Sequence, residues 1–258
     1  MIAYSAKAQH LTHDIGLFVG SATIQTDYGK KSGFFNRYEI SALSVSLVHY
    51  LHFFNIDTRW NSKDDIANHL MIKSEFNFLT KKKFNHFGKF SIGDSELAKQ
   101  LRAMSGTTKI TNFAVHGEYY LKDLKDFMFP FSDIKWNPYF SLGLAYSIYT
   151  NTLTTTLGDW RSDITLLPEK YRKEGELDVG TGSTFSFIIG TGTRYKLSEN
   201  FDLGLNFNMQ YFFTDYIEGL KSFHDSNKHN EWLLNLQVGI IYHLNFSGGI
   251  FCKKLKLF

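Results

Sequence analysis

Residues 201–213 read FDLGLNFNMQYFF. Alternate positions separate into Phe201, Leu203, Leu205, Phe207, Met209, Tyr211 and Phe213 on one side, and Asp202, Gly204, Asn206, Asn208, Gln210 and Phe212 on the other. Period-two alternation predicts a β-strand with one apolar and one polar face. At roughly 3.3 Å per residue the stretch spans about 40 Å, well beyond the usual strand of about 5–6 residues. Tilted by about 40°, as barrel strands are, it rises about 30 Å, close to the hydrocarbon thickness of a bilayer.

Seven further segments alternate in the same way: 14–24, 41–53, 68–80, 110–121, 136–149, 184–195 and 232–246. In the last of these, Trp232, Leu234, Leu236, Val238, Ile240, Tyr242 and Leu244 oppose Asn235, Gln237, Gly239 and His243. The connections 25–40, 81–109, 150–183 and 214–231 are the longer ones, and 196–200 is a tight hairpin. Within 81–109 a short helix is expected at 95–104, with Ser95 as its N-cap. Eight long strands with alternating loop lengths predict an all-β fold, an eight-stranded antiparallel up-and-down transmembrane β-barrel with long extracellular loops.

Composition agrees. Aromatics make up 17% of the 258 residues and prolines number only 3, which suits long uninterrupted strands. The net charge of +3 is too small to argue for nucleic acid. No run of about 18 apolar residues exists to make a transmembrane helix, a test that a barrel evades because only alternate residues face lipid. The single cysteine, Cys252, allows no internal disulfide.

Alternation does not say which face points inward. A soluble barrel of the lipocalin kind would turn the apolar face to its lumen. Three features favour the membrane: strip height, small and amide residues on the opposite faces, and aromatics gathered at both strand ends around an aliphatic middle. One belt is expected to hold Tyr50, Phe53, Tyr119, Tyr139, Phe140, Tyr195, Phe201, Tyr242 and Phe246. The other is expected to hold Phe76, Phe78, Tyr146, Tyr149, Phe185, Phe187, Tyr211, Phe213 and Trp232. In the last strand Gln237, Gly239, Tyr242 and Leu244 follow the pattern of the C-terminal β-signal through which the barrel-assembly machinery recognises its clients. Here residues 247–258 follow it as a C-terminal extension. Residues 1–8, with Ala6-Lys7-Ala8 as a small-x-small site, read as the remnant of a secretory signal peptide, leaving 9–246 as the barrel.

His13-Asp-Ile-Gly16, Val48-His49-Tyr50, Leu101-Arg102-Ala103-Met104, Thr108-Lys-Ile110, Glu118-Tyr-Tyr120, Thr193-Arg-Tyr-Lys-Leu197 and Glu231-Trp232-Leu233 carry a resemblance. With them the chain resembles an uncharacterised flavobacterial (Bacteroidota) family of small outer-membrane β-barrel proteins. The resemblance implies an eight-stranded barrel in the cell outer membrane, and no established activity or catalytic residue.

Candidate chemistry is sparse. Gly180-Thr-Gly182 and Gly190-Thr-Gly192 do not open a helix after a strand, so a dinucleotide loop fails on context and glycine relief in a narrow barrel is expected. The H-x-x-H spacings at His10/His13 and His49/His52 put the two rings on opposite faces of a strand, so no metal is expected. Lys73, Glu75, His116 and Glu118 fall on the polar faces of neighbouring strands and should meet in the lumen. They could do acid–base chemistry, but a structural network is favoured, with Asn112, Asn206, Asn208, Gln210, Asn235 and Gln237 as further plug residues. His224, Asp225, Ser226 and His229 form a modest cluster in the last long loop.

The leading expectation is a non-enzymatic barrel with a side-chain-filled lumen and no cofactor. It would act through surface loops or by docking a protein partner in the envelope, with the lipid bilayer as its surroundings. A lipid-modifying enzyme working through the last loop, or an accessory subunit of a secretion or assembly complex, is the alternative.

Overall fold

The computed structural model describes residues 12–25, 41–52, 66–86, 89–129, 132–220 and 231–244. Eight strands close into a barrel in sequence order. They are β1 (Thr12–Gln25), β2 (Ser41–His52), β3 (Leu70–Asn85), β4 (Met104–Tyr120), β5 (Trp136–Thr155), β6 (Thr181–Lys196), β7 (Phe201–Phe212) and β8 (Trp232–Leu244). Every neighbouring pair is antiparallel, and β8 returns to β1 with Ile15 opposite Tyr242 and Val19 opposite Val238. Closure leaves no sheet edge, so no strand N–H or C=O need face hydrocarbon unpaired.

Burial is inverted relative to a soluble barrel. Leu17, Leu142, Leu144 and Phe185 are 57–63% exposed, whereas Asp14, Lys73, Glu118 and Asp202 are 0% exposed. An apolar wall around a polar interior excludes the lipocalin-like alternative. A wall of this kind is stable only against lipid.

One part of the expected banding needs correction. Tyr50, Tyr139 and Tyr149 are buried inside and do not belong to the outer belts. Their phase along the strand places them in the lumen, where Tyr50 lies under Arg194 and the Tyr139 hydroxyl bonds Asn206. Phe53 and Phe246 lie outside the described residues. On the outer wall Phe201 packs on Tyr242 at one end, and Phe76 on Phe113, Tyr146 on Phe185 and Tyr211 on Trp232 toward the other.

Four strands also run further than alternation suggests, β3 to Asn85, β4 from Met104, β5 to Thr155 and β6 from Thr181. The reason lies in the polarity of these extensions. In β5 the outward residues change from Leu142, Leu144 and Tyr146 to Thr150, Thr152 and Thr154, while the inward ones change from Ser141 and Ala145 to Tyr149 and Leu153, with Asn151 between them donating to the Tyr216 carbonyl and accepting from the Gly180 N–H. Above the bilayer the outer surface of the sheet becomes polar and its inner surface largely apolar, and the apolar-out alternation that marks a lipid-facing strand disappears.

Both ends are closed. At the long-loop end, Ile24, Phe84, Met104, Leu153 and Phe212 from the strands form one core with Leu101, Leu167, Tyr171, Ile217 and Leu220 from the connections. Leu101 comes from α1 (Glu96–Ala103), which Ser95 caps by accepting from the Ala98 N–H at 3.2 Å, as the sequence predicts. At the other end α2 (Leu124–Met128), absent from the sequence reading, inserts Leu124 among Phe18, Tyr50, Met71, Tyr120 and Tyr139.

Phe18 lies across the barrel floor where β7 and β8 offer Gly204 and Gly239, paired opposite each other. A Cβ on Gly204 would stand 2.6 Å from Phe18 Cζ, and one on Gly239 would enter the same ring. Gly239→Val is therefore expected to lower stability by about 1–3 kcal/mol through overpacking. The checks are the urea midpoint of the detergent-folded protein and partial recovery in the Gly239→Val/Phe18→Leu pair. An unchanged midpoint would contradict this packing.

Candidate functional site

The barrel wall brings Lys73 and Glu75 of β3 beside His116 and Glu118 of β4, with Lys73 directly opposite His116. Lys73 Nζ lies 3.1 Å from Glu75 Oε2 and 3.4 Å from Glu118 Oε1. Tyr120 donates to Glu118 at 2.7 Å, Ser46 donates to Glu75 at 2.7 Å, and His116 Nε2 stands 3.4 Å from Glu75 Oε2. One ammonium thus sits between two carboxylates, each tied by a hydroxyl.

Above this cluster lies a layer of amides and hydroxyls. Asn112 donates to Asn77 at 3.1 Å, and Gln210 donates to Ser186 at 2.7 Å and Ser147 at 3.1 Å. Gln237 donates to Ser44 and Ser46 at 2.9 and 2.7 Å. Asn206, Asn208 and Asn235 are buried in the same interior. The space left between them, bordered by Glu75, His116, Asn112, Asn208, Gln210 and Asn235, is about 20 Å³. That holds about one water and no substrate.

A second cluster, which the sequence reading did not assemble, lies toward the short-loop end. Asp14 is hydrogen-bonded to His52 at 2.7 Å and to His243 at 2.9 Å, and it accepts from Arg194 at 3.1 Å. The other ring nitrogen of His243 stands 3.2 Å from Asp202, which is 3.8 Å from Arg194. The Arg194 guanidinium also covers the Tyr50 ring at 4.0 Å. These groups come from five strands, β1, β2, β6, β7 and β8. The usable signal was their shared inward phase near the same barrel end.

The histidine spacing behaves as strand geometry requires. His52 is buried in the lumen, whereas His49 is on the outer wall, stacked on His13 at 5.2 Å. Among the described residues no group of three or more His, Cys, Asp or Glu is placed to hold a metal ion. Gly190 and Gly192 lie inside β6, against Asn208 and Tyr139. Gln237 and Gly239 of the β-signal-like run face inward, and Tyr242 and Leu244 lie on the alternate, outer phase. His10, the segment 1–8, the loop residues His224, Asp225, Ser226 and His229, and the extension 247–258 lie outside the described residues.

A larger concavity opens on the long-loop surface, in the β5–β6 connection. It measures about 550 Å³ and is bordered by Trp160, Arg161, Tyr171, Arg172, Lys173 and Leu177 among others. The connection that forms it is anchored. Trp160 donates to the Leu153 carbonyl at 2.9 Å, Arg172 donates to Leu167 and Thr165 at 2.8 and 2.9 Å, and Gln100 of α1 donates to Thr165 at 3.0 Å.

No protein-family model and no curated protein matches the chain. Solved structures similar to it include Ail, the attachment invasion locus protein of Yersinia pestis, at 11% identity over 91% of this chain and 99% of that one, with a TM-score of 0.44. Neisserial surface protein A matches at 10% identity over 90% and 97%, with a TM-score of 0.44. A major outer membrane protein from Thermus thermophilus matches at 12% over 90% and 99%, with a TM-score of 0.46. The likeness is one of fold alone. The chain is a small eight-stranded barrel of the outer membrane, as its closed sheet and inverted burial require.

Arg194 stands between Asp14 and Asp202 in the second cluster. Arg194→Met strips a cation from these buried carboxylates and is expected to cost about 3–5 kcal/mol. Unfolding followed by gel mobility in urea measures it, and a midpoint equal to that of the wild type would contradict the pairing.

Proposed function

We propose that this protein is a sealed, non-enzymatic outer-membrane barrel that acts from its outer face, where it holds a ligand or docks an envelope partner. The observation that carries this reading is the packing of apolar side chains across both ends of the lumen, with a gap among the described polar residues that has room for about one water. Nothing the size of a solute passes such a barrel, and no substrate reaches its buried carboxylates. The groove beside Trp160, in contrast, falls within the roughly 300–1,000 Å³ of ordinary ligand sites.

In this account the polar network of Lys73, Glu75, Asn112, His116, Glu118, Asn206, Asn208, Gln210, Asn235 and Gln237 is structural, filling and neutralising the lumen. Gln237, Gly239, Tyr242 and Leu244 serve insertion by the barrel-assembly machinery, and residues 1–8 are the end of a secretory signal. The chain then belongs with the flavobacterial barrels it resembles.

Planar-bilayer recordings are expected to show no stable conductance, and a large persistent pore would overturn the sealed-lumen reading. Affinity capture from intact outer membranes is expected to retrieve a partner that Trp160→Ala or Lys173→Glu releases. Lipid turnover by the purified protein that His224→Ala or His229→Ala abolishes would replace this reading with a lipid-modifying enzyme.

A further inference from the structure

The run Lys81-Lys82-Lys83 reads in sequence as a solvated loop, yet the structure places it inside β3. From Met71 to Leu79 the odd-numbered residues of this strand face the lumen. If that phase continued, Lys81 and Lys83 would point inward. It does not continue, because a bulge falls between Leu79, opposite Ile110, and Lys82, opposite Thr108. Three steps on β3 then match two on β4, and the phase reverses. Phe84 turns inward into the apolar cap, and Lys81 and Lys83 are exposed. A bulge that re-aims side chains is a feature with a purpose in the wall.

The purpose is visible in what the two lysines join. Lys109, exposed on β4, lies in register with the bulge, and its ammonium stands 4.9 Å from the centroid of the outward Phe78 ring. One outward row lower, Phe76 packs on Phe113 at 4.9 Å within the lipid-facing wall. Successive outward rows are about 5 Å apart in height, so the three ammonium groups stand just above the uppermost rings at the long-loop end. Thr107, Thr150 and Thr152 surround them on β4 and β5. The strand extensions 79–85, 104–111 and 148–155 contain no Asp or Glu. Among the described strand residues at this end, Lys81, Lys83 and Lys109 are the exposed cations.

We propose that Lys81, Lys83 and Lys109 form a docking site on the outer wall for the phosphorylated headgroup of an outer-leaflet lipid. Three exposed cations on strand extensions that carry no carboxylate of their own attract an anion. Their place immediately above the hydrocarbon-facing rings selects one whose acyl chains lie along the wall below. The neighbouring threonine hydroxyls supply donors to phosphate oxygens. This site is separate from the groove of the β5–β6 connection and does not depend on what that groove binds.

The test titrates the full-length protein in detergent with bisphosphorylated lipid A and with its dephosphorylated counterpart, counting bound lipid by native mass spectrometry. Wild type is expected to prefer the phosphorylated lipid by about tenfold or more, as three surface cations allow. Lys81→Ala/Lys83→Ala/Lys109→Ala is expected to lose that preference, and the matching triple arginine variant to keep it. Equal binding of the two lipids by wild type would overturn the site whether or not any variant folds. So would a heat-modifiable triple alanine variant that still discriminates. Displacement of the lipid by inorganic pyrophosphate at equal concentration would overturn the lipid assignment, because it would mark a site for free anions.

Discussion

An eight-stranded barrel has an interior only wide enough for side chains, and this single restriction governs the rest of the molecule. Lipid claims the outside of the wall, so the apolar alternate residues must face outward and the polar ones inward. The interior then receives charges that bulk water does not reach. They are tolerable only in opposition, and the chain supplies that opposition twice. Lys73 stands between Glu75 and Glu118, and Arg194 with His243 stands between Asp14 and Asp202. Glycine and aromatic residues settle the remaining volume, as where Phe18 lies over Gly204 and Gly239.

The same wall obeys the opposite rule once it leaves the bilayer. Along β5 a lipid-facing leucine surface gives way to threonine, and an interior of Ser141 and Ala145 gives way to Tyr149 and Leu153. The upper barrel is thereby a small water-soluble domain with its own core, completed by Leu101, Leu167, Tyr171, Ile217 and Leu220 from three connections. The bulge in β3 marks the changeover, reversing the strand's phase where the surroundings reverse, and it leaves Lys81 and Lys83 exposed beside Lys109 at the boundary.

How much of this was legible follows from where each signal resides. The strand 201–213 carries its whole pattern in consecutive residues, and β7 is found there as Phe201–Phe212. Lys73, Glu75, His116 and Glu118 could be grouped because they sit on neighbouring strands whose phases are both clear. The cluster of Asp14, His52, Arg194, Asp202 and His243 could not be, since its register depends on barrel closure and five strands contribute. The strand extensions were hidden because their polarity runs against the template that found the strands. For Tyr50, Tyr139 and Tyr149, aromatic type points to the belts and strand phase to the lumen, and phase decides the face.

The measurement that reaches the central claim most directly is cysteine accessibility along β7 in native membranes, in a Cys252→Ser background. Cysteines replacing Leu205 and Phe207 are expected to react with a lipid-soluble maleimide and not with a charged, water-soluble thiosulfonate. Cysteines replacing Asn206 and Asn208 are expected to react with neither. Labelling of the asparagine positions by the charged reagent would mean a water-filled lumen, and would contradict a barrel sealed and filled by its own side chains.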